Sequence, residues 1–348
     1  MEKFVFGYEG KDLYQEQLST YGLELDIYYN MDFLQHEAEM AGGNAEIFLL
    51  KDKDAIFLYP YIKKTLPEYL GNYQDITSPY GYCGPFCNDP HFFSLAESSL
   101  LDHLSSNQIV TEFVRYHYLY NKEQFFQQNI KNIHNRTIIL LDGNSTWETI
   151  WMEQFSSTNR NLVRKLEKDG YCFEQVDYLQ HIDGFIEMYH QTMSNAAASD
   201  YYYFDKKYFD SLHNRLTDHV TMYRVYKEDI TYSYALFFEQ SGFLTYFLSA
   251  RNVLYSKVPA SNLLLSKVSE LAIEKGVTCI NFGGGLTNEP TDPLFKFKSN
   301  FSKQMTAFHI GKRIHLPHAY EEIGKKYVER HGQEAFDRSR HILQYYWN

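Results

Sequence analysis

Residues Asn281 to Ser302 read NFGGGLTNEPTDPLFKFKSNFS, and they decide the fold. The strand-forming run Thr278 to Phe282 enters directly on Gly283, Gly284 and Gly285. Consecutive glycines are costly to order, so they mark a place where backbone bends sharply or comes close to a ligand. They do not make a phosphate loop. No Gly-Lys-Ser/Thr follows, and the G-x-G-x-x-G spacing of a dinucleotide fold fails at Asn288. Downstream, Lys296 and Lys298 alternate with Phe295 and Phe297, and Phe301 follows. An extended backbone would put both lysines on one side and the phenylalanines on the other. A lysine held among aromatics beside a glycine loop can neutralise a phosphate or an oxyanion. The same pattern also fits solvated lysines on an edge strand.

Upstream of this stretch three strands are expected in succession, Thr221 to Tyr226, Ile230 to Phe238 and Phe243 to Ser249. The loop Ala250 to Pro259 then leads to a helix with Ser261 as N-cap and Gly276 just past its end. Leu264, Val268 and Leu271 give that helix a core-facing stripe. Helices are also expected over Trp147 to Phe155, Asn159 to Lys168 and Ile182 to Met193. The first half carries a shorter version of the same grammar. A helix over Met31 to Met40 ends at Gly42-Gly43, strands Ile47 to Leu50 and Ala55 to Tyr61 flank a polar turn, and a helix over Phe93 to Ser105 precedes the strand Ile109 to Val114. The expectation is an internal duplication with mixed sheets, α/β in class: one domain over 1–145, a second over 146–311, and a C-terminal helical segment over 312–348 with a Tyr-Tyr-Trp ending.

Composition narrows the function. The chain has 348 residues, 31 Tyr and 26 Phe, and a net charge of 33 − 44 = −11. Coating nucleic acid needs a surplus of cations, so any such contact would be local. Tyrosines offer stacking faces with a polar tip, or simply fill core and strand positions. The opening MEKFVFGYEGK has no apolar run fit for a signal peptide, and no stretch approaches a spanning helix, so a cytoplasmic protein is expected. Four cysteines in so long a chain make no disulfide framework. Cys83, Cys87 and His91 lack a fourth ligand, and Met40 stands where a zinc-protease helix begun by His36-Glu37 needs its second His, so no metal is assigned.

Other groups of residues can carry chemistry. Arg160, Arg164 and Lys168 fall at i, i+4 and i+8 on a helix, either an anion or RNA site or a solvated face. Ser78 to Phe86, SPYGYCGPF, combines Tyr80 and Tyr82 with glycines, either a rigid aromatic-lined loop for a sugar or peptide or a structural turn. Tyr201, Tyr202 and Tyr203 cannot all share one face of a strand, so one of them is exposed or ligand-facing. His190 is the histidine best placed to face a cleft or to be satisfied in the interior, and no Ser-His-Asp arrangement can be assigned.

The blocks DITSPYGYCGPF, RNLVRK, YHQTM, YYYF, TYFLSA, PASNLLL and FGGG…DPLFKFKSNFS, in that order, resemble the FemAB-like branch of the GNAT acyltransferase superfamily, from about Asp26 to Ser302. The resemblance implies two tandem GNAT-like domains and acyl or aminoacyl transfer to an amine, with acyl-CoA or aminoacyl-tRNA as co-substrate and no tightly bound cofactor. It implies that Phe297 and Lys298 match the family's Phe-Lys pair, with Lys298 stabilising an oxyanion or a phosphate and no protein base required. The expected substrate-binding residues are Tyr80, Tyr82, Arg164, Tyr202, Gly283, Gly284, Gly285 and Lys296, with Arg251 and Asn262 on the donor side. The partners expected are a small-molecule or lipid-linked envelope precursor, or a nucleotide-sugar, and tRNA, with the membrane at most peripheral. Asn195 and Ala197 depart from the family's T-M-x-R-x-N pattern and Phe247 replaces a frequent His, which motivates the alternative of a catalytically degenerate binding module. The loop Ala250 to Asn262 lacks the glycine-rich run that wraps the acetyl-CoA pyrophosphate, and no coiled-coil arm interrupts the second half.

Overall fold

The computed structural model describes residues 1–120, 125–196 and 198–338; Ala197 and the Tyr-Tyr-Trp ending lie outside the described residues. The chain forms two compact units, one of residues 1–135 with 308 onward, the other of 136–307.

The first unit contains β1 (Glu2–Phe6), α1 (Lys11–Thr20), α2 (Met31–Met40), β2 (Asn44–Asp52), β3 (Ala55–Thr65), β4 (Gln74–Thr77), β5 (Phe86–Cys87), α3 (Pro90–Ser106) and β6 (Ile109–Arg115). From the far end of the chain it takes residues of β13 (Gln304–Ile314), then α10 (Pro317–His331) and α11 (Gln333–Arg338). Its strand order is β1-β2-β3-β4-β6-β13. Every neighbouring pair is antiparallel except the parallel pair β4–β6. Asp89 caps α3 through the His91 N–H, and Pro90 opens the helix where no donor is needed. The i, i+4, i+8 positions Ala96, Leu100 and Leu104 then pack against Phe48, Phe57 and Tyr59 of the sheet.

The second unit takes the end of β7 (Ile130–Asp142), then α4 (Trp147–Glu153), α5 (Ser157–Lys168), β8 (Cys172–Val176), α6 (Tyr178–Asn195), α7 (Lys206–Leu216), β9 (Val220–Lys227), β10 (Ile230–Gln240), β11 (Phe243–Arg251), α8 (Ala260–Glu274), β12 (Cys279–Gly284) and α9 (Pro293–Lys298). Its order is β8-β9-β10-β11-β12-β7. Again the first three pairs are antiparallel, the fourth is parallel and the last is antiparallel. The core joins Leu264 and Val268 of α8 to Val163 and Leu166 of α5, Phe237, Ile280 and Phe282. The duplication therefore holds strand for strand, with one exchange. The strand after β6 completes the second sheet and the strand after β12 completes the first, so the units divide the sequence inside β7 and β13. The expected three-strand run, hairpin and Met31–Met40 helix all appear.

Two local expectations are corrected. Ser261 is not the N-cap of α8; Pro259 holds that position, and Ser261 sits inside the first turn with its hydroxyl 3.0 Å from that of Ser233. Tyr201 and Tyr202 lie in a 3-10 turn over Asp200–Tyr202, and no strand forms there.

Candidate functional site

The parallel pair of the second unit is short. β11 and β12 register only from Phe243 with Cys279 to Thr245 with Asn281. Beyond that, β11 stays with β10 as far as Arg251 while Gly283 and Gly284 follow β7. Phe247 is the extra residue of a bulge, because Leu236 pairs with Leu248 and the next residue, Phe237, with Tyr246. Its ring lies 4.3 Å from that of Phe238, so the position is filled by packing.

The segment expected to be extended is instead the helix α9, and the alternation of lysines and phenylalanines becomes a helical one. Asp292 and Pro293 explain it: the Asp292 carboxylate accepts from the Leu294 and Phe295 N–H groups at 2.9 Å each, and proline occupies the first turn. The other oxygen of Asp292 accepts from the Thr287 N–H at 2.9 Å and closes the loop after the glycines. On a helix Lys296 and Lys298 part company. Lys296 is exposed, whereas Lys298 is 9% exposed. Phe297 packs edge-on to Phe301 at 5.3 Å, which anchors the helix to the core.

Lys298 Nζ donates to the Gly284 carbonyl at 2.9 Å and sits 5.6 Å from the centroid of the Tyr246 ring. Burial, and then the neighbouring Arg136 charge, pull its ammonium down to about 7, with Asp292 pulling the other way. The three glycines are required for two reasons. Gly283 has φ +74, the left-handed region that a side chain resists. A Cβ on Gly284 would lie 2.7 Å from the Thr137 carbonyl oxygen and 2.9 Å from Arg136 Cδ. One on Gly285 would lie 2.6 Å from Asp292 Oδ1 and 3.0 Å from Phe295 Cβ. The close approach at Gly284 and Gly285 is thus made by the chain's own groups. Arg136 and Asp292 are site residues that no pattern singled out, although the Asp-Pro pair ahead of FKFK is a helix-start signal legible in the sequence.

The remaining expected residues fall in several places. Asn262 is buried and donates from Nδ2 to Asn159 at 2.9 Å, and Asn159 reaches the Asn300 carbonyl just beyond α9. It ties α8 to the segment that carries Lys298. Arg251 ends β11, its N–H donating to the Thr192 hydroxyl at 3.0 Å, and its charge acts on the Tyr246 phenol. Arg164 is exposed, 5.9 Å from the Trp151 ring. Arg160 turns back to the Trp151, Met152 and Phe155 carbonyls, so it completes the end of α4 rather than extending a ligand-facing stripe. Tyr202 is half-buried and its carbonyl accepts from the Tyr189 hydroxyl at 2.8 Å. His190 is satisfied at 2.8 Å by the Phe204 carbonyl. Asn195 is exposed at the last position of α6.

Tyr80 and Tyr82 belong to the first unit, whose equivalent parallel pair is closed rather than parted. The Ser78 N–H donates to the Phe113 carbonyl at 2.9 Å, the Arg115 N–H to the Ser78 hydroxyl at 3.0 Å, and the Cys83 N–H to the Arg115 carbonyl at 2.9 Å. The Tyr80 N–H is taken by Glu37 at 3.0 Å, and Tyr82 stands edge-on to Tyr28, Tyr118 and Phe308. Cys83 and Cys87 are free thiols, and among the described residues no group of His, Cys, Asp or Glu is arranged to hold a metal. Nor is any helix among them long and apolar enough to cross a membrane.

Residues 154–296 match the family model described as an acetyltransferase (GNAT) domain. No curated protein matches the chain. Among solved structures the chain is similar to FemX, at 13% identity and a TM-score of 0.69 over 89% of this chain and 97% of that one. It is similar to the C-terminal domain (DUF2156) assigned to a lysylphosphatidylglycerol synthetase of Agrobacterium fabrum, at 10% identity and 0.56 over 90% and 95%. It is similar also to L-PGS from Bacillus licheniformis, at 12% identity and 0.52 over 83% and 92%. Residues 154–296, from just before α5 into α9, thus carry an acetyltransferase (GNAT)-type domain, and the chain as a whole has the fold of FemX.

Proposed function

We propose that the second unit forms an amide by transferring an aminoacyl or acyl group from aminoacyl-tRNA or acyl-CoA to an amine on a cell-envelope or nucleotide-sugar precursor. The observation that carries this reading is a buried ammonium, Lys298, held at the end of β12 where β11 and β12 part. The acceptor nitrogen attacks the donor carbonyl, a C–N bond forms, and the carbonyl oxygen becomes an oxyanion. Lys298 donates to that oxygen. The ester C–O or thioester C–S bond then breaks, and the leaving oxygen or sulfur takes up the proton released by the nitrogen. One preorganised donor to an oxyanion is worth about 10²–10³ in kcat. Lys298 must carry its proton to act, so the rate falls as pH rises through about 7. Phe297 fixes the helix that presents the ammonium. Within this unit Arg251 and Asn262 are assigned to the donor, and Arg164, Lys296 and Tyr202 to the acceptor or its phosphates.

The closure of the first unit's equivalent strands supports one reaction centre per chain. The test is a mass-shift assay of amine-bearing envelope precursors and nucleotide-sugars with either donor class. An acceptor gaining one acyl or aminoacyl group identifies donor and acceptor together. Saturable binding of a precursor with no product from either donor establishes the binding module instead.

A further inference from the structure

The carbonyls of Gly284 and Gly285 receive two different cations. Lys298 Nζ donates to Gly284 O at 2.9 Å, and Arg136 Nη1 donates to Gly285 O at 2.8 Å. The Arg136 stem also lies against Gly284, where a Cβ would meet Cδ at 2.9 Å and Cγ at 3.3 Å. So the glycine is what lets the arginine lie there, and the arginine holds the turn that offers Lys298 its carbonyl. Resting on the role given to Lys298 above, we propose that Arg136 is its positioning residue: the guanidinium fixes the Gly284–Gly285 turn and stands as a permanent second cation beside the ammonium.

Among the described residues, three elements bring charged or titratable groups to Lys298. Arg136 faces it from β7, Asp292 from the loop before α9 and the Tyr246 phenol from β11, with Arg251 acting on Tyr246. A guanidinium beside an ammonium repels it, so the effect of Arg136 on Lys298 has one sign. It makes the ammonium give up its proton at lower pH, and removing it lets Lys298 stay charged to higher pH. The reaction's alkaline limit then moves with it.

The experiment is a titration of the lysine side chains by NMR on the full chain labelled with 13C-lysine, the Lys298 signal being assigned by its loss in Lys298→Ala. Arg136→Gln should raise the Lys298 midpoint by about one pH unit, a tenfold change in proton affinity. Arg136→Lys, which keeps a charge, should leave it near the wild-type value. Gly284→Ala, which displaces the arginine without removing it, should move the midpoint upward as Arg136→Gln does. In the transfer assay the alkaline limb of the rate profile should move by the same amount as the midpoint. An unmoved Lys298 midpoint in both folded Arg136→Gln and Gly284→Ala overturns the proposal, as does an equal shift in Arg136→Lys and Arg136→Gln. The midpoint is read without turnover. A midpoint that moves while Lys298→Ala remains fully active would therefore retire the catalytic reading of Lys298 and leave the pairing of the two cations standing.

Discussion

Replacing Lys298 by Met should make the protein more stable and inactive at once. In the folded chain the ammonium loses its proton at about 7, against 10.5 for the unburied group, a difference of 10.5 − 7 = 3.5 units. Between those values the unfolded chain binds more protons than the folded one, so this group makes stability rise with pH across the window. Below about pH 7 both states hold the proton and the fold bears the whole cost. At about 1.4 kcal/mol per unit that cost is about 5 kcal/mol. Methionine fills most of the stem's volume but leaves the Gly284 carbonyl without its donor, a loss of about 1–2 kcal/mol. The expected net gain at pH 6 is therefore about 3 kcal/mol, or roughly 5–10 °C in the calorimetric transition of a unit this size. At pH 10 the wild-type lysine is neutral in the fold and the gain should shrink to near zero. Scanning calorimetry of both proteins from pH 6 to pH 10 checks this. A variant no more stable than wild type at pH 6, or a gain that does not change with pH, refutes the reasoning.

Other perturbations probe the frame. Arg313 of β13 donates to Glu112 at 2.8 Å and to Glu97 at 2.6 Å, all three buried, so Arg313→Met should cost about 3–5 kcal/mol in urea unfolding by stranding two carboxylates; a loss under about 1 kcal/mol would show the cluster to be dispensable. Burial alone would raise the Glu112 carboxyl, but Arg313 and His315 hold it down at about 2. Its stabilisation is accordingly complete above about pH 4.5 and should be lost as pH falls toward 2, which acid unfolding with and without Glu112→Gln measures. Gly283→Ala, at φ +74, should destabilise by about 1–2 kcal/mol, and an unchanged transition would mean that the turn relaxes freely. Asp292→Ala removes the cap of α9 and should cost about 1 kcal/mol and lower activity through Lys298; full activity would separate the loop from the site.

Much of this was legible because periodicity and punctuation agreed. The strand runs between Thr221 and Ser249 are set apart by short polar turns, and α8 carries an apolar stripe closed by Gly276. β7 was invisible from periodicity, since Lys131, Asn132, His134, Asn135 and Arg136 dilute its first half and it pairs with strands distant in sequence. β8 and β13 fail for the same reason, being defined by partners rather than by their own pattern. Within the site, Lys298 stood out by its setting among glycines and phenylalanines. Whether it points inward depended on helix against strand, which the Asp292-Pro293 cap decides locally. Arg136 lies about 150 residues from its glycines, a pairing that only the sheet creates.

Lys298 as the donor to the oxyanion is the centre of the proposed reaction. With the donor and acceptor pair that wild type turns over, the single-turnover rate of amide formation by Lys298→Ala at pH 6.5 is the most direct test. A rate lower by about 10²–10³, with acceptor binding retained, is the predicted result. A rate within a few-fold of wild type would contradict it.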